Sequence, residues 1–205
     1  MLHHPNINIK STASNSSYTS VVSHSRHPVI IWDGKTHVKG SFWANPNTST
    51  FAPSSIEHNP KIRPLELKFD DNNIWIGFGF DWYNWKAGRH LGTNTTNQKY
   101  LAFKIKTKNL HDDLIVQLLC NGKVVDTPAH HTNQVKIVKY CPHYQDGKWH
   151  EVQIPLADLK HSKGYHSSAV TMIDFGFYSH GQSKGTILLN DIEFTSKLST
   201  NPEDS

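Results

Sequence analysis

The 205-residue chain is poor in sulfur, with two cysteines and two methionines, and it lacks any long apolar run. Cys120 and Cys141 allow at most one disulfide. No segment approaches the roughly 18 consecutive apolar residues of a membrane span. The formal charge of +4 is small and forms no basic run or stripe, which argues against a nucleic-acid partner. The opening Met1-Leu2-His3-His4-Pro5-Asn6 has no basic stretch leading into an apolar one, so no secretory leader is expected there. Enzyme signatures are also missing. There is no G-x-S-x-G, no cysteine–histidine nucleophile pattern and no glycine-rich phosphate loop.

Histidine is the residue in excess, at fifteen. His130 and His131 are adjacent, and in an extended chain their side chains point to opposite sides, so they do not chelate together. His3, His4, His24 and His27 lie in a polar N-terminal stretch, and His161, His166 and His180 are scattered without metal-ligand spacing. Exposed loop histidines that titrate near mildly acid pH are the expected outcome.

Residues 1–27 are rich in Ser, Asn, Thr and His and offer too little apolar surface to offset the entropy of ordering, so they read as a flexible arm. Residues 196–205 read as a similar tail, leaving one domain over 28–195. Its signal is almost wholly β. Short segments alternate with period two between Gly, Pro, Asn and Asp: 29–32, 65–69, 74–82, 100–106, 114–120, 135–140, 149–154, 173–178 and 186–194. Ile74, Ile76, Phe78, Phe80 and Trp82 share one face of their strand; Trp75, Gly77, Gly79 and Asp81 share the other. Leu156 to Lys160 is the one helical candidate, a turn or so long. Nine or ten such strands predict an all-β, two-sheet antiparallel sandwich. In a simple hairpin of 114–120 with 135–141, Cys120 and Cys141 lie at opposite ends, beyond the roughly 6 Å between Cα atoms that a bridge needs. If the Asn121-Gly122 turn feeds in another strand, they reach one edge about two strand spacings apart. Two reduced thiols are the favoured reading, which leaves the redox compartment open.

The order of these pieces resembles the galactose-binding-like jelly rolls found among non-catalytic carbohydrate-binding modules. The resemblance is carried by Ile31-Trp32-Asp33-Gly34, then Ser41-Phe42-Trp43, Trp75 to Phe80, Tyr100 to Lys106, Gly147 to Leu156 and Leu189 to Phe194. Gly147 to Leu156 is similar to the family's "W-x-x-V-x-I-P-L" stretch, and Leu189 to Phe194 to its terminal "I-D-D-I" strand. The resemblance implies a jelly-roll fold first and glycan binding second, in an extracellular or cell-surface setting. It also implies a structural calcium at Asp191, which matches the second acid of the family's pair, with Asn190 replacing the first and Asp33 as a helper. The missing charge would weaken a hard-cation site.

Sugar recognition needs flat apolar surfaces for the C–H faces of pyranose rings and planar polar groups for hydroxyls. Asp81 to His90 is the richest stretch for both, and Tyr83, Trp85, Arg89 and His90 are the candidate contacts there. The alternative is that this loop folds back and its rings plug one end of the sandwich. Trp75 and Asp81 share a strand face with Gly77 and Gly79, where the missing side chains would leave a shallow groove, and Gln117 and Tyr178 could line the same sheet. The alternative for Trp75 is burial beneath the 43–64 segment. Three functions are therefore weighed. The first is non-catalytic binding of a polysaccharide or glycan through the aromatic loop and the sheet face. The second is a protein-interaction or assembly module on the same fold. The third is a polysaccharide lyase or hydrolase. For a hydrolase Asp81 would need a second carboxylate about 5–9 Å away, with Asp112, Asp113 and Asp174 as candidates. Tyr83-Asn84-Trp85-Lys86-Ala87-Gly88 is similar to the Y-F-K-A-G stretch of jelly-roll alginate lyases, but the strands that should accompany it are missing. Oligomeric state is not legible.

Overall fold

Short runs of alternating apolar residues pair edge to edge and bury one side against each other. A computed structural model describes residues 27–35, 40–46, 48–54, 63–70, 74–81, 92–120, 130–160, 166–181 and 184–198. Among them lie strands β1 (Val29–Trp32), β2 (Ser41–Asn45), β3 (Thr50–Pro53), β4 (Leu65–Phe69), β5 (Trp75–Asp81), β6 (Tyr100–Thr107), β7 (Ile115–Cys120), β8 (His130–His131), β9 (Val135–Lys136), β10 (His150–Pro155), β11 (Val170–Tyr178) and β12 (Gly185–Thr195). A single helical turn, α1 (Leu156–Leu159), sits where one was expected.

Two antiparallel sheets face each other. The first runs β10-β6-β12-β4-β3, with β1 also on β12; the second runs β2-β5-β11-β7, with β8 and β9 both on β7. The expected jelly-roll sandwich is what forms. The inward face of β5, Ile76, Phe78 and Phe80, is 0–2% exposed, and Phe78 stacks on its cross-strand neighbour Phe175 with ring centroids 5.3 Å apart. Phe103, Phe51, Phe42 and Phe80 continue this core through edge-to-face contacts. These rings, together with the aliphatic residues buried around them, form one continuous apolar core.

The 135–140 segment departs from the expected strand. Only Val135 and Lys136 pair with β7, and Ile137–Lys139 winds into a single 3-10 turn. Side-chain acceptors draw the chain out of the sheet: Asp158 takes hydrogen bonds from Lys139 Nζ (2.9 Å) and Tyr140 Oη (2.6 Å). β9 joins β7 at the end away from Cys120, and both cysteines are free thiols. Burial pushes the Cys120 thiol up to about 11. The Asn121-Gly122 turn and most of the expected N-terminal arm and C-terminal tail lie outside the described residues.

Two polar features stand out in the sandwich. Tyr144 is fully buried; its hydroxyl donates to Asp113 Oδ1 at 2.6 Å and accepts from the Leu114 N–H at 2.9 Å and Gln145 Nε2 at 2.8 Å. The second is a bulge in β12. The apolar phase there jumps from Leu189 to Ile192, and Asp191 absorbs the extra residue with φ 49°. Its carboxylate pairs with Lys104 on β6 at 2.8 Å, while Glu193 and Glu151 also act electrostatically on this cluster.

Tyr144→Phe leaves the Leu114 N–H and Asp113 short of a partner and is expected to cost about 1–3 kcal/mol, read as a lower urea midpoint at unchanged slope. Burial, Asp191 and Glu151 hold the Glu193 carboxyl above its ordinary value, so the ionised form opposes folding at neutral pH. Glu193→Gln is therefore expected to raise the thermal midpoint at pH 7. Because a raised carboxyl gains its proton before the unfolded chain does, that advantage should vanish by about pH 3.

Candidate functional site

β5 and β11 lie side by side in the middle of the second sheet and point their aromatic and aliphatic side chains inward. Their outward positions are unusually small: Gly77 and Gly79 on β5, Gly176 on β11. At Gly79 a Cβ would collide with the Ile173 carbonyl, so glycine is what lets the two strands approach this closely. At Gly176 a Cβ would overlap the Trp75 ring, and at Gly77 it would lie 3.3 Å from Trp75 Nε1 and 3.4 Å from the Trp43 ring. The two indoles thus recline over the glycines from opposite sides instead of standing upright. Tyr178, directly across from Trp75, meets its ring edge-on at 5.0 Å and is 49% exposed.

A polar strip flanks these rings. Asp174, two positions along β11 from Gly176, accepts a hydrogen bond from Gln117 Nε2 on β7, and Gln117 Oε1 accepts one from Gln134 Nε2 at 3.3 Å. The row leads from an exposed edge residue to a carboxylate beside the rings. An apolar platform next to fixed acceptors and donors is suited to a pyranose, which presents C–H bonds on its face and hydroxyls around its rim.

The expected sharing of a face by Trp75, Gly77, Gly79, Gln117 and Tyr178 is present in the register. Trp75 is half-buried; of the 43–64 segment, β2 extends the same sheet beside β5 and β3 belongs to the opposite sheet, while residues 47 and 55–62 lie outside the described residues. Asp81 corrects the expectation made for it. It is 2% exposed, at the end of the face where Met172 and Leu119 are also buried, so it stands behind the open surface and not on it. Tyr83, Trp85, Arg89 and His90 lie outside the described residues.

Trp43 and Gln134 were not among the residues the sequence offered for this face, and Asp174 was offered only as a carboxylate that could partner Asp81 in a hydrolase. Trp43 had a signal, since Ser-Phe-Trp-Ala-Asn alternates with Phe42 and Ala44 inward, but its neighbour Gly79 is set by strand pairing that no local pattern reveals.

The residues at Asp191 do not fit the calcium implied by the resemblance. Lys104 Nζ already supplies the positive charge at 2.8 Å, and among the described residues no three His, Cys, Asp or Glu side chains gather to hold a metal ion. Among the described residues, too, no helix is long and apolar enough to cross a membrane.

Comparison with solved structures shows the same fold at low identity. A family 30 carbohydrate-binding module from a cellulosomal cellulase of Clostridium thermocellum is 22% identical, with TM-score 0.63 over 84% of this chain and 99% of that one. A family 11 carbohydrate-binding module from Clostridium thermocellum, solved with a β-1,3-1,4-mixed-linked tetrasaccharide, is 10% identical, with TM-score 0.55 over 84% of this chain and 98% of that one. A β-1,2-glucanase from Parabacteroides distasonis is 15% identical, with TM-score 0.55, but the match takes in 85% of this chain and 26% of the enzyme. Comparison with curated proteins gives no match. The family model for carbohydrate binding domain 30 matches residues 19–196. A jelly roll of two antiparallel sheets, with a match of that extent, makes this chain a carbohydrate-binding member of carbohydrate binding domain family 30.

Proposed function

We propose that the outward face of the second sheet holds a polysaccharide chain without cleaving it. The observation that carries this reading is the convergence of Trp43 and Trp75 over Gly77 and Gly176, with Tyr178 continuing the row. Sugar faces stack on the rings, and Gln134 and Asp174 meet the hydroxyls along one flank, with the buried Gln117 holding the two in line from behind. Tyr83, Trp85, Arg89 and His90 enter this proposal from the sequence alone, as contacts contributed by the segment that follows Asp81.

Binding without catalysis is favoured by the carboxylates of the face. A glycosidase places two of them across the scissile bond about 5–9 Å apart. Here Asp174 lies on the open part, held by Gln117, and Asp81 is buried. The family 30 neighbour comes from a cellulosomal cellulase, and the family 11 neighbour was solved with a mixed-linked β-glucan fragment. A plant-type β-glucan outside the cell is accordingly the proposed ligand class and setting.

The test is calorimetry with mixed-linked β-1,3-1,4-glucan. Tyr178→Ala should weaken binding about three- to tenfold, the worth of one aromatic contact, at a nearly unchanged thermal midpoint because the ring is half exposed. Trp75→Ala should lose more than about tenfold, as expected for a residue at the centre of the contact. Full affinity in both variants would refute the site. Release of soluble sugar from the glucan by the wild-type protein would refute the non-catalytic assignment.

A further inference from the structure

The aromatic row does not stop at Tyr178. The next ring along it is His180, with its imidazole centroid 5.6 Å from the Tyr178 ring and tilted by 33°. The step from Trp75 to Tyr178 is 5.0 Å, so the three rings follow at similar intervals, each comparable with the length of a sugar unit. His180 is 61% exposed, and an exposed side chain ordinarily samples its rotamers freely. Here the imidazole meets the Tyr178 ring and Asp112, and the backbone that carries it is fixed by the residues around it.

The backbone is fixed first. Ser179 is fully buried, its N–H donates to the Ile74 carbonyl at 3.0 Å, and its hydroxyl oxygen accepts the Ile74 N–H at 3.1 Å. This reciprocal pair pins the end of β11 to the start of β5. The chain then turns through two left-handed residues, His180 at φ 43° and Gly181 at φ 85°. Glycine takes that conformation freely, and histidine is among the few other residues that enter it more often than most, so the turn sets the direction in which the His180 side chain leaves the backbone. The neighbouring loop completes the lock. His111 Nδ1 lies 3.1 Å from the His180 carbonyl oxygen, and His180 Nε2 is 3.6 Å from Asp112 Oδ2. Asp112 is itself held by the Asp113 N–H on its other oxygen at 2.8 Å.

We propose that His180 forms an end subsite, its imidazole lying against one further sugar unit when a long chain occupies the face. The subsite rests on the reading of the face as a glycan platform and extends it beyond the sheet edge. The ring supplies a flat, exposed surface and ring nitrogens for a hydroxyl, and its contact with Tyr178 keeps it next to the other rings. Short ligands that fill the Trp43–Trp75–Tyr178 stretch do not reach it.

The experiment measures affinity for a series of β-1,3-1,4-mixed-linked gluco-oligosaccharides, from tri- to heptasaccharide, by calorimetry at pH 7. The proteins are wild type, His180→Gly and His180→Asn. Glycine accepts the left-handed turn without a Cβ, so its thermal midpoint should be no lower than that of wild type. Asparagine tolerates the same turn and keeps polarity without a ring. Both variants should bind the shortest ligands as wild type does and lose about three- to tenfold on the longest. An unchanged affinity at every length, or an equal loss at every length, would overturn the end subsite and leave the platform standing. If the wild-type protein binds no member of the series, the platform reading itself fails and the subsite with it.

Discussion

The close contact between β5 and β11 is the constraint on which the rest of the structure depends. Gly79 makes it, because any larger residue would push against the Ile173 carbonyl. With the strands that near, Phe78 and Phe175 stack on the inside and draw the two sheets together through the surrounding aromatic rings. On the outside, the same spacing leaves a shallow floor at Gly77 and Gly176 over which two indoles can recline. Core and proposed binding face are therefore two sides of one alternation: large residues inward, glycines outward. A substitution that separates these strands would disturb both at once.

Where the alternation was strong, the sequence carried the answer. The bounds of β1 and β4 coincide with the expected segments, and β5, β6, β7, β10, β11 and β12 differ from expectation by one to three residues at one or both ends. These strands are long enough, and one-sided enough, for the period to show. β3 and β8 left no usable pattern: one is four residues bounded by prolines and polar groups, the other two residues. Ile137–Lys139 departs from the expected strand because the β-branched Val-Lys-Ile-Val run favours an extended chain by composition, although Ile137-Val138 breaks the alternation, while Lys139 and Tyr140 reach Asp158 through hydrogen bonds that no local pattern contains. In β12, the jump from Leu189 to Ile192 breaks the period and was in principle a visible sign of the bulge.

The site was legible in half. Trp75, the glycines, Gln117 and Tyr178 could be placed together because each lies on the outward phase of a clear strand. Trp43 and Asp174 depended on which strands become neighbours, a long-range choice made by the whole core. Asp81 shows the converse limit. Its phase was right, but phase says only which side a residue faces and not whether that side is covered, and its end of the face is buried. At Asp191 a familiar motif had changed its chemistry: with one acid replaced by Asn190, the remaining carboxylate takes a lysine ammonium as its counter-charge.

The reclined posture of Trp75 has a consequence for the shape of what can bind. Its indole is wedged over Gly176 and braced by Tyr178, so it cannot swing to follow a curved ligand. On the proposed reading of this face, a ring that keeps its posture favours ligands whose own conformation already presents a sugar face to it, so the conformation of the polymer becomes a criterion of choice alongside its chemistry.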